Sequence, residues 1–255
     1  MLIHSDIGWG KTTFIGTGGK DYKILLIRPP VDHVDPIVGS GVQEIVVRSW
    51  EEIFESLEYA QHEGQNWDWI WLDSISLLQD IGLDDVYEYT LDRKGPKGSQ
   101  ARKEREAFGP DRGEYRVNMW RLGQWVRHMV GAGVVNLGIT AHSFFWEPTD
   151  GVTSSCVWPW VQGKMMPAKI SGMMNIVGYG DLKTVERGGR TRQVRVLHTN
   201  ASENYYAKCQ FKRDGLAIFP TGEIVNPTLP GMMAEINKGR VASSTARRRR
   251  TRREQ

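Results

Sequence analysis

The sequence predicts an α/β protein: a mostly parallel central sheet covered by helices, extended toward the C-terminus by antiparallel hairpins. Three observations carry this. Short apolar runs alternate with helix-like segments up to about residue 143, as in a parallel sheet whose strands need crossover helices. Runs such as "YKILLI" read as buried strands. Beyond about residue 178 the pattern changes to strands joined by tight turns. A chain of 255 residues can bury one full core. That core is expected over 1–235, with partly mobile excursions at about 93–114 and 144–164 and a disordered tail over 236–255.

The elements follow in order. "MLIHS" is the first strand and runs directly into a glycine loop. Lys11 opens a short helix that stops before Gly18-Gly19. "YKILLI" (22–27) is a strand ended by Pro29-Pro30, and "EIVVRS" (44–49) is another. Residues 50–64 place Ile53, Leu57 and Tyr59-Ala60 near helical spacing. "WDWIWLD" (67–73) is a strand, followed by a helix beginning at "SLLQD". Residues 93–114 are polar, charged and glycine-containing, so they read as an exposed excursion. The next helix, from Tyr115, presents Met119, Leu122, Val126, Met129 and Val130 on one side. "VVNLGITAHS" (134–143) is a buried strand, and 144–163 an irregular, tryptophan-rich loop. After a helix near 166–177, "GYGDLKTVER", "TRQVRVLHT" and "YYAKCQF" read as antiparallel strands. In such a sheet the strand ends nearest the loops carry the site.

The chemistry concentrates in "SDIGWGKTT" (5–13). Gly8, Trp9 and Gly10 form a loop whose amides can wrap phosphate oxygens at the start of a helix. Lys11 would meet the outer phosphates, the Thr12 hydroxyl a magnesium ion, and Thr13 the inner phosphate. Ser5 stands where the phosphate-loop pattern has its first glycine, at the strand-to-loop bend. "WIWLD" ends a buried strand in one carboxylate, Asp73, the form of the second nucleotide motif. Asp73 is expected one sheet position from the loop, steadying magnesium through water. Together the two motifs predict a P-loop NTPase that binds ATP and Mg2+.

Ser74 follows Asp73, where AAA+ enzymes usually carry glutamate. On "SDIGWGKTTF", "WDWIWLDSISLL", "NLGITAHS" and "YYAKCQF" the chain resembles the RecA-like single-strand annealing ATPases of bacteriophages, over about 1–225. The resemblance implies a RecA-like core, ATP and magnesium, single-stranded DNA, and homo-oligomers, as rings or filaments, that assist annealing or recombination. A single-strand binding protein is a further implied partner. The family's glutamate after the second strand is absent, and Asp32 or Asp35 is the available substitute base, against an ordinary turn carboxylate behind two prolines. The family's Lys-x-Arg pair is reduced to Lys208, either a finger reaching a neighbour's nucleotide or a solvated lysine. The N-terminal segment that links RecA and RadA protomers is not seen ahead of the first strand, which implies another mode of assembly or an upstream start. Thr140 or His142, ending "GITAHS", suits a sensor of the terminal phosphate, against an ordinary strand-end histidine.

For DNA, Trp158 and Trp160 offer stacking faces beside Lys164 and Lys169, unless these aromatics pack down instead. The excursion adds Arg102 and Lys103, amid Glu104 and Glu106, either lining the same DNA path or standing as a solvated flap. Residues 240–255 carry seven arginines and one acid, so Arg247, Arg248, Arg249 and Arg250 belong to a basic arm drawn to polyanions, while the remainder is slightly acidic. Two other functions remain open: a nucleotide-regulated loader or scaffold for a replication partner, or a DNA-translocating motor. No membrane run or signal-peptide layout is evident, which points to the cytoplasm, that of the host for a phage protein. Cys156 and Cys209 read as free thiols.

Overall fold

The computed structural model describes residues 1–30, 35–62, 66–93, 103, 107, 109–131, 136–147, 155–187 and 189–238. Asp32, Arg102 and Arg247 to Arg250 lie outside the described residues. The elements are β1 (Leu2–Ser5), α1 (Lys11–Gly16), β2 (Ile24–Arg28), β3 (Gln43–Val46), α2 (Trp50–Gln61), β4 (Trp69–Leu72), α3 (Ile75–Arg93) and α4 (Arg112–Gly131). Then come β5 (Asn136–Trp146), β6 (Cys156–Pro159), α5 (Met166–Met173), β7 (Ile176–Arg187), β8 (Arg190–His198), β9 (Lys208–Cys209), β10 (Lys212–Arg213), β11 (Leu216–Ala217) and β12 (Glu223–Val225). A last helix, α6, covers 229–238.

Among the described residues one sheet runs β12-β8-β7-β1-β5-β4-β2-β3. The neighbours from β7 to β3 are parallel, while β8 and β12 are added antiparallel. The expected fold class is therefore the observed one. Parallel strands must be covered on both faces, and the sequence meets this by making every residue of β1, β2 and β4 buried. Alternate side chains then feed two cores. Leu2, Leu25, Ile27, Ile70 and Leu72 face α2, α3, α4 and α5. Ile3, Ile24, Leu26, Trp69 and Trp71 face α1 and α6.

Local signals fix the helix positions. Ser49 caps α2 by accepting from the Glu52 N–H at 3.2 Å, and Glu52 returns to the Arg48 N–H at 2.6 Å. On α4 the core face is Leu122, Trp125, Val126 and Met129. Val130, expected on that face, is instead 43% exposed, because it lies one step around the helix from Met129.

The stretch after residue 143 is not irregular where it is described. β5 continues to Trp146 and turns back into β6, pairing Phe144 with Trp158 and Trp146 with Cys156. Aromatic cross-strand pairs account for this extension, which periodicity alone did not signal.

His4 gives the fold a pH dependence. It is fully buried, with Nε2 donating to the Tyr206 carbonyl at 2.8 Å and Nδ1 beside the Ser143 hydroxyl at 3.0 Å. Burial first, with the Lys11 charge adding, lowers its pKa to about 4. The unfolded chain therefore takes up this proton before the folded one. The neutral ring's stability is present above about pH 6.5 and is lost as pH falls toward 4. In that window His4 should cost about 1.4 kcal/mol per pH unit. Urea melts at pH 7, 5.5 and 4.5 should show a steeper loss for the wild type than for His4→Gln.

Candidate functional site

The parallel strands aim their C-terminal ends at one edge of the molecule. There Ser5 of β1 lies in register with His142 of β5 and with Gly180 of β7. The chain leaves β1 into the glycine loop and enters α1 at Lys11. Gly8 and Gly10 have φ of 90° and 95°, a region L side chains rarely adopt, which explains glycine at both places.

Lys11 is buried and folds back over its own loop. Its Nζ donates to the Ser5 carbonyl, the Ser5 hydroxyl and the Asp6 carbonyl, each at 3.2 Å. Thr12 donates its hydroxyl to Asp73 Oδ2 at 2.6 Å. Thr140 of β5 donates to the other carboxylate oxygen, Oδ1. Asp73 is 3% exposed, so two hydroxyls hold a nearly dry carboxylate at the loop's mouth. The peptide from Asp73 to Ser74 is cis. The sheet separates Asp73 from β1 by two positions, not the one expected, because β5 lies between β1 and β4. That inserted strand is what delivers Thr140.

His142 is the last residue of β5 paired with β1 and is half-buried. Burial and the Lys11 charge push its pKa below the usual histidine value, while Asp73 and Asp6 pull the other way. Its register with Ser5 sets the His142 backbone level with the end of β1, where the chain leaves for the loop. Its backbone N–H donates to the Ser76 hydroxyl at 2.9 Å, and Ser76 donates to the Trp160 carbonyl at 2.8 Å. Gln79 accepts from the Gln162 N–H at 2.7 Å. The start of α3, one residue past Ser74, is thus bonded to the segment that follows β6.

Two features of the loop were not legible in the motif. The Trp9 side chain does not face the loop's interior. It is 2% exposed and its Nε1–H is shared between the Asp181 and Val196 carbonyls, each at 3.1 Å. Gly180 lies beneath it, where a Cβ would meet Trp9 Cε2 at 2.6 Å and Ser5 Cβ at 2.9 Å. So Trp9 ties the loop to the β7–β8 hairpin, leaving only its main chain to line the loop. The hairpin in turn brings Arg195 beside Gly10: a Cβ on Gly10 would be 3.0 Å from Arg195 Nη1 and 3.4 Å from Thr13 Oγ1.

The remaining expectations are scattered. Asp35 is exposed and begins a short 3-10 turn, Asp35–Ile37, that packs on Gly16 at the far end of α1 from Thr12. Lys208 pairs with Val177, level with Leu2, at the opposite end of β1 from the loop. Its Nζ donates to the Gly172 carbonyl at 3.2 Å, so it does not reach this chain's own loop. Trp158 stacks on Tyr206 with ring centres 4.3 Å apart and is only half exposed, whereas Trp160 is 43% exposed. Lys103, Lys164 and Lys169 are exposed.

A family model described as AAA domain matches residues 1–211. Among solved structures, the chain is similar to a RadB recombinase at 12% identity, covering 87% of this chain and 89% of that one, with a TM-score of 0.44. It is also similar to the flagellar accessory protein FlaH from Methanocaldococcus jannaschii at 10% identity, covering 89% and 88%, with a TM-score of 0.36. A search of curated proteins finds no match. No helix among the described residues is long and apolar enough to cross a membrane.

Proposed function

This chain belongs to the AAA domain family, and from that premise we propose that it binds ATP with magnesium and, as an oligomer, engages single-stranded DNA to promote annealing or recombination in a phage. One observation carries the nucleotide half: the Asp73 carboxylate, held by Thr12 and Thr140, sits at the mouth of a glycine loop that already cradles the Lys11 ammonium. The residues fit the absent group. The Lys11 ammonium rests on carbonyl and hydroxyl oxygens that a phosphate would replace as partners. Thr12 and Asp73 are hard oxygen donors already together, as magnesium requires. Magnesium, when bound, would neutralise charge on the outer phosphates.

The roles of this chain's own residues follow. Lys11 binds the outer phosphates, Thr13 and Arg195 the inner ones, and Gly8, Trp9 and Gly10 contribute main-chain amides. Thr140 orients Asp73. His142, in register with Ser5 at the end of β1, would suit a sensor of the terminal phosphate. Lys208, facing away from its own loop, suits contact with a neighbouring protomer's nucleotide. The bonds from Ser76 to Trp160 and from Gln79 to Gln162 support a coupling between nucleotide state and the aromatic hairpin. The arginine arm would add salt-dependent affinity for DNA.

The test measures ATP turnover with and without single-stranded DNA, beside a sedimentation profile. DNA-stimulated turnover with a nucleotide-dependent shift to larger species is expected. Turnover indifferent to DNA in a protein that stays monomeric would overturn the annealing reading and favour a loader or scaffold.

A further inference from the structure

α4 crosses the start of α5, and the crossing leaves an open groove of about 370 Å³. Its walls carry Arg116, Trp120 and Arg127 from α4, with Lys164, Met165 and Lys169 from the other side. Residues 116, 120 and 127 share one helix face by their spacing. Among the described residues the groove lining contains four cations and no acid. Among the described residues none of the four cations is held in an ion pair. Trp120 is 62% exposed and Met165 is 70% exposed, large apolar groups that a solvated face has no reason to display together.

The groove does not end there. Lys164 and Met165 also line a second hollow of about 160 Å³, whose other walls include Phe144, Trp146 and Trp158 of the β5–β6 hairpin. Cationic and aromatic surface thus follow one another along a single path. The path is bonded to the nucleotide edge through Gln162 and Trp160, both of which contact α3.

We propose that this continuous path, with Arg116, Trp120 and Arg127 at its open end, is the track for a single-stranded nucleic acid. Cations along the walls meet the phosphates, and the exposed indole supplies a face for an unpaired base. An acidic peptide would satisfy the charges and leave the exposed Trp120 indole without a stacking partner. The proposal rests on the single-stranded DNA reading for its ligand class, but it places the contact on a helix face that the sequence did not single out.

The experiment uses the full chain and a fluorescein-labelled thymidylate oligomer of about 20 nucleotides, followed by anisotropy at several salt concentrations. Trp120→Ala should weaken binding about 5- to 100-fold. The double variant Arg116→Ala/Arg127→Ala should lower the slope of log affinity against log salt by about 1.4. ATP affinity should be unchanged in both. Variants that bind the oligomer as the wild type does overturn the track and leave DNA binding to other parts of the chain. A wild type that binds no oligomer overturns the track and the single-stranded DNA reading together. Capture of poly-glutamate in place of the oligomer, lost on the same substitutions, would show a groove for acidic protein instead.

Discussion

Lys11→Ala should lose ATP binding by about 100-fold or more while the protein stays folded. The ammonium offers charge-assisted hydrogen bonds to phosphate oxygens, each contributing about 1.5 to 3 kcal/mol in a nearly dry site. Its Nζ contacts with the Ser5 carbonyl, the Ser5 hydroxyl and the Asp6 carbonyl are each 3.2 Å. Those contacts are long and confined to one loop, and Ser5 already donates to the Asp6 carbonyl at 3.0 Å. The change should therefore move the melting midpoint little. Titration with a fluorescent ATP analogue in magnesium, beside a thermal melt, separates binding from folding. Unchanged affinity in a folded variant would sink the assignment of the loop. In the same titration Arg195→Ala should weaken ATP and ADP alike by about tenfold, since its guanidinium lies beside Gly10, in the loop proposed to hold the inner phosphates. A loss confined to ATP would place Arg195 against the terminal phosphate instead.

The comparison of Lys11 with Arg195 shows what a sequence can and cannot disclose here. Lys11, Thr12 and the strand before them are contiguous, so the loop could be read from spacing and from the helix that follows. "WIWLD" was legible for a similar reason: a run buried on both faces that stops at a carboxylate has one plausible orientation in a parallel sheet. Everything that depends on which strand lies beside which was hidden. Thr140 reaches Asp73 only because β5 enters between β1 and β4. Arg195 reaches Gly10 only because β7 lies beside β1 and folds back into β8. One-dimensional periodicity reports how a segment is buried, not its neighbours. The β5–β6 hairpin was missed on the same ground. By sequence Phe144 and Trp146 read as loop aromatics, and only the pairing with Trp158 and Cys156 makes them strand residues. Alternation over so short a span is a weak signal beside the chain's density of tryptophan.

Trp9 is where fold and site meet, and Trp9→Ala should damage both. The motif leaves its position open, since only main chain is needed there, so nothing about phosphate binding calls for an indole. Its surroundings do. The ring is fully enclosed, lies 6.4 Å from Phe14, and covers the bare Cα of Gly180. Removing a buried tryptophan side chain costs about 3 to 5 kcal/mol, through lost burial and the cavity left behind. The cavity would open directly beneath the glycine loop, beside Ser5 and Gly180. Nucleotide affinity should therefore fall in protein that remains folded at low temperature, with Lys11 and Asp73 unaltered. Trp9→Phe separates the two contributions. It keeps most of the packing but gives up the N–H shared by Asp181 and Val196, leaving those carbonyls one donor short at a cost of about 1 to 3 kcal/mol. Urea melts and ATP titrations on both variants should rank wild type above Trp9→Phe above Trp9→Ala in each quantity. Should the Phe variant lose stability yet bind ATP as the wild type does, the loop would hold its shape without the hairpin. Arg195 would then have to reach the nucleotide by its own strand alone.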